Sequence, residues 1–156
     1  MNQKIWKKVL TSNEEVKYEF SIGKRYQVLG VIVGFLIGLP FLFFPPFATA
    51  FGVLIILSFL FYFGWYLKIA NVYAFTNKRV LIHKGWINTV LISIDYDKIT
   101  DIKVVEPFLD RILTKTGYLS IDTAGTSTEE VVLAHLESPY EIKKKLDEIR
   151  EQSKTI

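Results

Sequence analysis

Hydrophobic and polar residues follow three regimes along the chain. Residues 15–22 alternate strictly, Val16, Tyr18, Phe20 and Ile22 against Glu15, Lys17, Glu19 and Ser21, as a strand with one covered face does. Residues 26–67 then run for 42 positions without a charged side chain. From Asn71 onward short apolar runs return, separated by turn residues.

The uncharged block is too long for a single helix across a bilayer. A hydrocarbon core about 30 Å thick needs roughly 20 helical residues. The 42 residues of the block would extend about 63 Å. Pro45-Pro46 removes backbone donors and disfavours helix just ahead of it. The block therefore predicts a hairpin of two spans, 26–44 and 47–67, with Pro40 kinking the first near its far end. A secretory signal cleaved at Ala48-Thr49-Ala50 fits worse. The polar stretch before it is long, it carries Glu14, Glu15 and Glu19, and a second apolar run follows at once.

Basic residues orient the hairpin. Lys4, Lys7, Lys8, Lys17, Lys24 and Arg25 precede it; Lys68, Lys78, Arg79 and Lys84 follow it; the turn has none. The positive-inside rule then predicts a cell-membrane protein with two spans and both termini cytoplasmic. Tyr26, Tyr62, Trp65 and Tyr66 read as interfacial anchors on that side. With no ionisable group inside the block, the spans predict an anchor in the lipid bilayer and not a conduction path. Gly30, Gly34 and Gly38 recur every four residues, a stripe that admits close approach of another backbone. It serves either packing on the second span, through Gly52 and Gly64, or self-association into a homo-oligomer. The motif alone does not choose.

Beyond the block, strands are predicted over 72–76, 79–83, 87–95, 99–105, 118–123 and 129–136, with turns at Asn77-Lys78, Lys84-Gly85 and 124–127. Residues 107–114 read as a loop or short helical turn. Ser138-Pro139-Tyr140-Glu141 is a capping box with proline at the first helical position. It opens a helix over 139–151 whose apolar stripe is Ile142, Leu146 and Ile149. The expected fold is an α+β membrane protein in three parts: an N-terminal segment (1–25), a transmembrane helical hairpin (26–67), and a small antiparallel barrel or sandwich capped by the C-terminal helix (68–156). The strand at 15–22 either joins that sheet, to which the hairpin returns the chain, or lies at the membrane surface with Trp6.

The order of these parts resembles the membrane-anchored form of the bacterial and archaeal PH-like (pleckstrin-homology-like) domain family. The matching residues are Tyr73-x-x-Thr76-x-x-Arg79 within Y-A-F-T-N-K-R-V-L-I-H-K-G, then Ile99-Thr100-Asp101-Ile102, then Gly117-Tyr118-Leu119-Ser120-Ile121-Asp122-Thr123-Ala124-Gly125, and the Ser138-Pro139 helix. The resemblance spans most of the chain and implies a PH-type barrel closed by the C-terminal helix. It implies no catalytic residue. Residues 109–117 depart from the family pattern in lacking an aromatic just before Gly117.

Composition narrows the chemistry. There is no Cys, which excludes a disulfide scaffold. The net charge of +3 arises wholly in residues 1–25, because residues 68–156 carry 13 basic and 13 acidic side chains. Mixed charges on the last helix predict a solvated face and no nucleic-acid partner. His83 and His135 have no second His, Cys or carboxylate at ligand spacing, which argues against a metal site. Asp95, Asp97 and Asp101 lie by a strand end and turn, where Asp is ordinary. They lack the further oxygens and terminal Glu of a calcium loop. No phosphate loop, dinucleotide fingerprint or nucleophile elbow occurs.

The expected protein is thus a membrane-anchored binding module without cofactor or enzymatic activity. It would present its barrel to a protein, a peptide or a lipid headgroup. Lys68, Lys78, Arg79 and Lys84 are the candidate contacts to anionic lipid, worth roughly 1 kcal/mol each, although the same charges also serve simply to orient the hairpin. Arg79, just after a turn, is also a candidate to pair with a carboxylate or cap carbonyls. The alternative is an assembly component that self-associates through Gly30, Gly34 and Gly38.

Overall fold

The computed structural model describes residues 3–123 and 131–154. The turn expected at 124–127, with Gly125, and the start of the strand expected at 129–136 lie outside them. A short helix α1 (Gln3–Trp6) precedes β1 (Val16–Ser21). Two residues later the first long helix starts as α2 (Lys24–Gly38) and tightens into a 3-10 segment, Leu39–Phe43. Pro40 sits in that segment, where its missing donor breaks the α-helical ladder. The second long helix begins with Pro46 in its first turn and comprises α3 (Pro46–Phe59), a wider π segment (Leu60–Tyr66) and α4 (Leu67–Ala70).

Both long helices, Lys24–Phe43 and Pro46–Ala70, have the length and composition to cross a membrane. Only 11% and 6% of their most apolar windows are buried, so the rest of the described chain does not cover them. The two pack on each other through the glycine stripe. Gly30 lies against Phe63, Gly34 against Phe59, and Gly38 against Ile56 and the Gly52 carbonyl. Gly64 faces open space, so of the two glycines on the second helix only Gly52 joins the seam.

The second helix passes without a linker into β2 (Asn71–Thr76), followed by β3 (Arg79–Lys84) and β4 (Val90–Asp95). These form a four-stranded antiparallel sheet in the order β1-β2-β3-β4. The N-terminal strand therefore joins the sheet, with Phe20 opposite Tyr73 and Ser21 opposite Val72. A 3-10 turn (Tyr96–Lys98) leads to the second sheet, β5 (Ile99–Val105), β6 (Thr116–Thr123) and β7 (Val131–Glu137), again antiparallel. Helix α5 (Phe108–Leu113) bridges β5 and β6. Helix α6 (Pro139–Lys154) lies across β2, β5 and β6.

The main core fills the space between the sheets. Tyr73, Phe75, Val80 and Ile82 from one sheet meet Leu119, Ile121, Leu133 and Leu136 from the other, and Ile142, Leu146 and Ile149 of α6 close it. Strands β2 and β3 are also covered on their other face, where Val72, Ala74 and Leu81 pack on Trp6. Covering on both faces explains why N-V-Y-A-F and V-L-I read as continuous apolar runs. Trp6, 2% exposed, is thus a core residue and not a membrane-surface anchor.

Candidate functional site

The first sheet has two unlike ends. Strands β1 and β2 meet the helical hairpin at Ser21 and Asn71, while the β2–β3 turn, Asn77-Lys78, stands at the opposite pole. Six-residue strands separate the poles by about 16 Å at strand rise.

The far pole is a closed polar network. The Glu14 side chain is fully buried and pairs with Arg79, Nε to Oε1 and Nη2 to Oε2, both at 2.8 Å. Thr11 donates its amide and hydroxyl to Oε2, and the Thr76 hydroxyl donates to Oε1 at 2.9 Å. Arg79 also donates to the Val9 carbonyl and the Ser93 hydroxyl. Burial pushes the Glu14 carboxyl up, and hydrogen bonds from Arg79, Thr11 and Thr76 outweigh it, leaving a pKa of about 2. Asn77 exchanges hydrogen bonds with Glu15 and Asn13, and Lys78 Nζ lies 3.5 Å from the Ser12 carbonyl. The Tyr73-x-x-Thr76-x-x-Arg79 pattern therefore places a core tyrosine and clamps the N-terminal segment onto the sheet.

This corrects the expected lipid cluster. Lys78 and Arg79 follow the hairpin in sequence but stand at the pole away from it, and the Arg79 guanidinium is committed to Glu14. Lys84 is at the near end, where its Nζ donates to the Val132 carbonyl at 3.0 Å. Lys68, at the end of the second helix, and Lys24, at the start of the first, line one cavity. Sequence order hides this pairing, because the two lysines are separated by the whole hairpin.

Three features surround the near pole. The Gly85 amide donates to the Ala70 carbonyl at 2.6 Å. Gly85 has φ +92, which a side chain disfavours. This tight turn sets Trp86 edge-on against Trp65 of the second helix, ring centroids 5.0 Å apart, and leaves Ile87 exposed. Beside the first helix lies α5, with Phe108, Leu109, Ile112 and Leu113 all exposed.

Between α5 and the first helix sits His135. A bulge sets Tyr118 of β6 between the pairs Gly117–Leu136 and Leu119–Leu133, and His135 takes φ +52. Bulges commonly re-aim a side chain in this way. The ring stacks on Tyr26 at 3.8 Å and approaches Tyr118, and the His135 carbonyl accepts the Gly23 amide at 2.8 Å. Its buried Nδ1 has no hydrogen-bond partner and lies 3.9 Å from Asp110 Oδ2. Burial lowers the His135 pKa, and Asp110 offsets part of that shift. Asp110 is invisible as a partner in the sequence because it lies 25 positions before His135 and a bulge re-aims the histidine. Thr114 and Thr116, both buried just before Gly117, meet through their hydroxyls at 2.6 Å. Among the described residues no group of three or more His, Cys, Asp or Glu side chains is placed to hold a metal ion.

Among the described residues, seven strands in two sheets closed by a C-terminal helix define a PH-like fold. The bacterial PH domain family model matches residues 21–152, and the chain belongs to that family. In fold it is similar to a DUF1696-family protein with a pleckstrin-homology domain from Shewanella loihica PV-4, at 13% identity and TM-score 0.51, covering 94% of this chain and 91% of that one. No curated protein matches the sequence.

Proposed function

We propose that this protein is a PH-like binding module anchored in the cell membrane by its helical hairpin, with the two sheets held at the cytoplasmic surface. The observation that carries the reading is continuity. Two neighbouring strands, β1 and β2, lead directly into apolar helices that nothing in the described chain covers. The rim around their base suits an interface. Trp86 and Ile87 on one side and Phe108, Leu109, Ile112 and Leu113 on the other are apolar side chains that water disfavours, and aromatic rings favour headgroup depth. Both termini lie on the basic side of the hairpin. The role is binding; none of the clusters described has the nucleophile, base and orienting group that catalysis would need.

The chain has no cysteine, so single thiols report topology cleanly. Phe47→Cys marks the helix turn and Lys78→Cys the far pole. In intact cells a membrane-impermeant maleimide should label the first and reach the second only after permeabilisation. Recovery of the protein in an alkaline carbonate supernatant, or the reverse labelling pattern, would overturn the reading.

A second reading, presentation of a peptide or protein partner, has a specific place. A groove of about 650 Å³ runs between the N-terminal segment and β4, lined by Ile5, Lys7, Lys8, Val9, His83 and Leu91. Leu91→Glu should then abolish capture of the partner while membrane integration stays intact.

A further inference from the structure

The hairpin is not sealed at its base. A cavity of about 430 Å³ opens between the two helices, with Lys24 and Lys68 both in its lining and Val28, Val31 and Ile32 along one wall. Its other wall is Gly64, beside which the structure leaves open space. Gly64 lies in the π segment Leu60–Tyr66, a widened turn of the kind that often marks functional sites in helices. The volume is within the range of small-ligand sites.

The cavity is polar at one end and apolar at the other. Lys24 is the first residue of its helix and Lys68 lies in the last turn of the other, so both ammonium groups belong at the headgroup level of an anchored hairpin. Ile32 is eight residues from Lys24, about 12 Å deeper along the helix axis. Among the described residues neither lysine has a carboxylate within ion-pair distance, although Arg25 pairs with Glu137 nearby. The N-terminal end of α2 and the C-terminal end of the second helix meet at this level, so their dipoles oppose one another and the positive field there is that of the two lysines. A free phosphate would satisfy the mouth and leave the apolar wall wet. A neutral lipid would fill the wall and leave two cations unmatched.

We infer that the hairpin base is a binding site for one anionic glycerophospholipid, its phosphate between Lys24 and Lys68 and an acyl chain along Val28, Val31, Ile32 and the gap at Gly64. This rests on the anchored reading above and adds a ligand to it. The lipid would brace the hairpin base directly beneath β1 and β2.

The test uses the full chain, purified in mild detergent and read by native mass spectrometry with phosphatidylglycerol or phosphatidylcholine added. One phosphatidylglycerol should be retained per chain in preference to phosphatidylcholine. The double variant Lys24→Gln/Lys68→Gln should lose about thirtyfold in retention. Gly64→Leu, which keeps both charges and fills the gap, should lose it too, while Lys78→Gln at the far pole should not. Equal losses in the Lys78→Gln and Lys24→Gln/Lys68→Gln variants would mean diffuse charge attraction, and an unaffected Gly64→Leu would mean surface adhesion; either overturns the site. Displacement of the lipid by millimolar inorganic phosphate would assign the mouth to a free anion and also overturn it. Carbonate extraction separates the two levels. A membrane-integrated protein without lipid preference loses this inference alone, whereas an extractable protein loses the anchor and the site together.

Discussion

Arg79 grips both oxygens of the Glu14 carboxylate, at 2.8 Å each, across 65 residues of sequence that include the entire hairpin. The pair ties the N-terminal segment to the β2–β3 turn and seats Trp6 on the outer face of the sheet. Fork-to-fork geometry makes it stronger than a simple ion pair, and the Glu14 side chain is wholly buried. Glu14→Gln leaves the guanidinium without its counter-charge and should cost roughly 2–4 kcal/mol in denaturant unfolding. Arg79→Ala should cost about as much, and the double variant much less than the sum.

The same pair sets an acid limit. The folded pKa of Glu14, about 2, lies below its ordinary 4.5, so the unfolded chain binds the proton more readily. The stabilisation is therefore fully present above pH 4.5 and disappears as pH falls from there toward 2. Unfolding free energy measured from pH 5 to pH 2.5 should fall in wild type and be flatter in Glu14→Gln.

His135 adds a second acid-sensitive joint. Burial holds its folded pKa below the usual 6.5, so protonation is easier in the unfolded chain. Its contribution is intact above pH 6.5 and is lost as pH drops through the folded value. Hydrogen exchange at residues 23–27, which hang on the His135 carbonyl and ring, should quicken between pH 7 and pH 5 after correction for intrinsic rates. His135→Phe, which keeps the stack without the proton, should remove that pH dependence.

Gly34 tests what the glycine stripe is for. A side chain there would overlap Phe59 of the same molecule, so Gly34→Leu must force the two helices apart. The detergent-solubilised protein should melt at lower temperature with unchanged mass. A shift from oligomer to monomer would instead make the stripe an intermolecular contact.

The apolar rim predicts depth. A bimane label at Ile87→Cys or Leu109→Cys should be quenched by brominated lipid in vesicles, whereas the label at Lys78→Cys should not. Both rim positions are largely exposed, so substitution should change fold stability by no more than about 0.5 kcal/mol.

Much of this architecture was legible before any fold. The uncharged block, the prolines that turn it, the alternating segments and the last helix with its leading proline all follow from period, length and proline chemistry, which are local properties of a chain. The predicted strands 72–76, 79–83 and 99–105 match β2, β3 and β5 closely because turn residues bound them. The predicted strand from 87 begins only at Val90, since Gly85, Trp86 and Ile87 form a loop held to the second helix by Ala70 and Trp65. The sequence by itself thus determined the elements, their order and the apolar hairpin, because helix period, strand period and proline chemistry act between near neighbours. Only the tertiary structure decided who meets whom: Glu14 with Arg79, Asp110 with His135, and Lys24 with Lys68 at the mouth of one cavity. Those meetings depend on strand register, on one bulge and on a hairpin that returns the chain to its starting side, none of which is written at either partner's position.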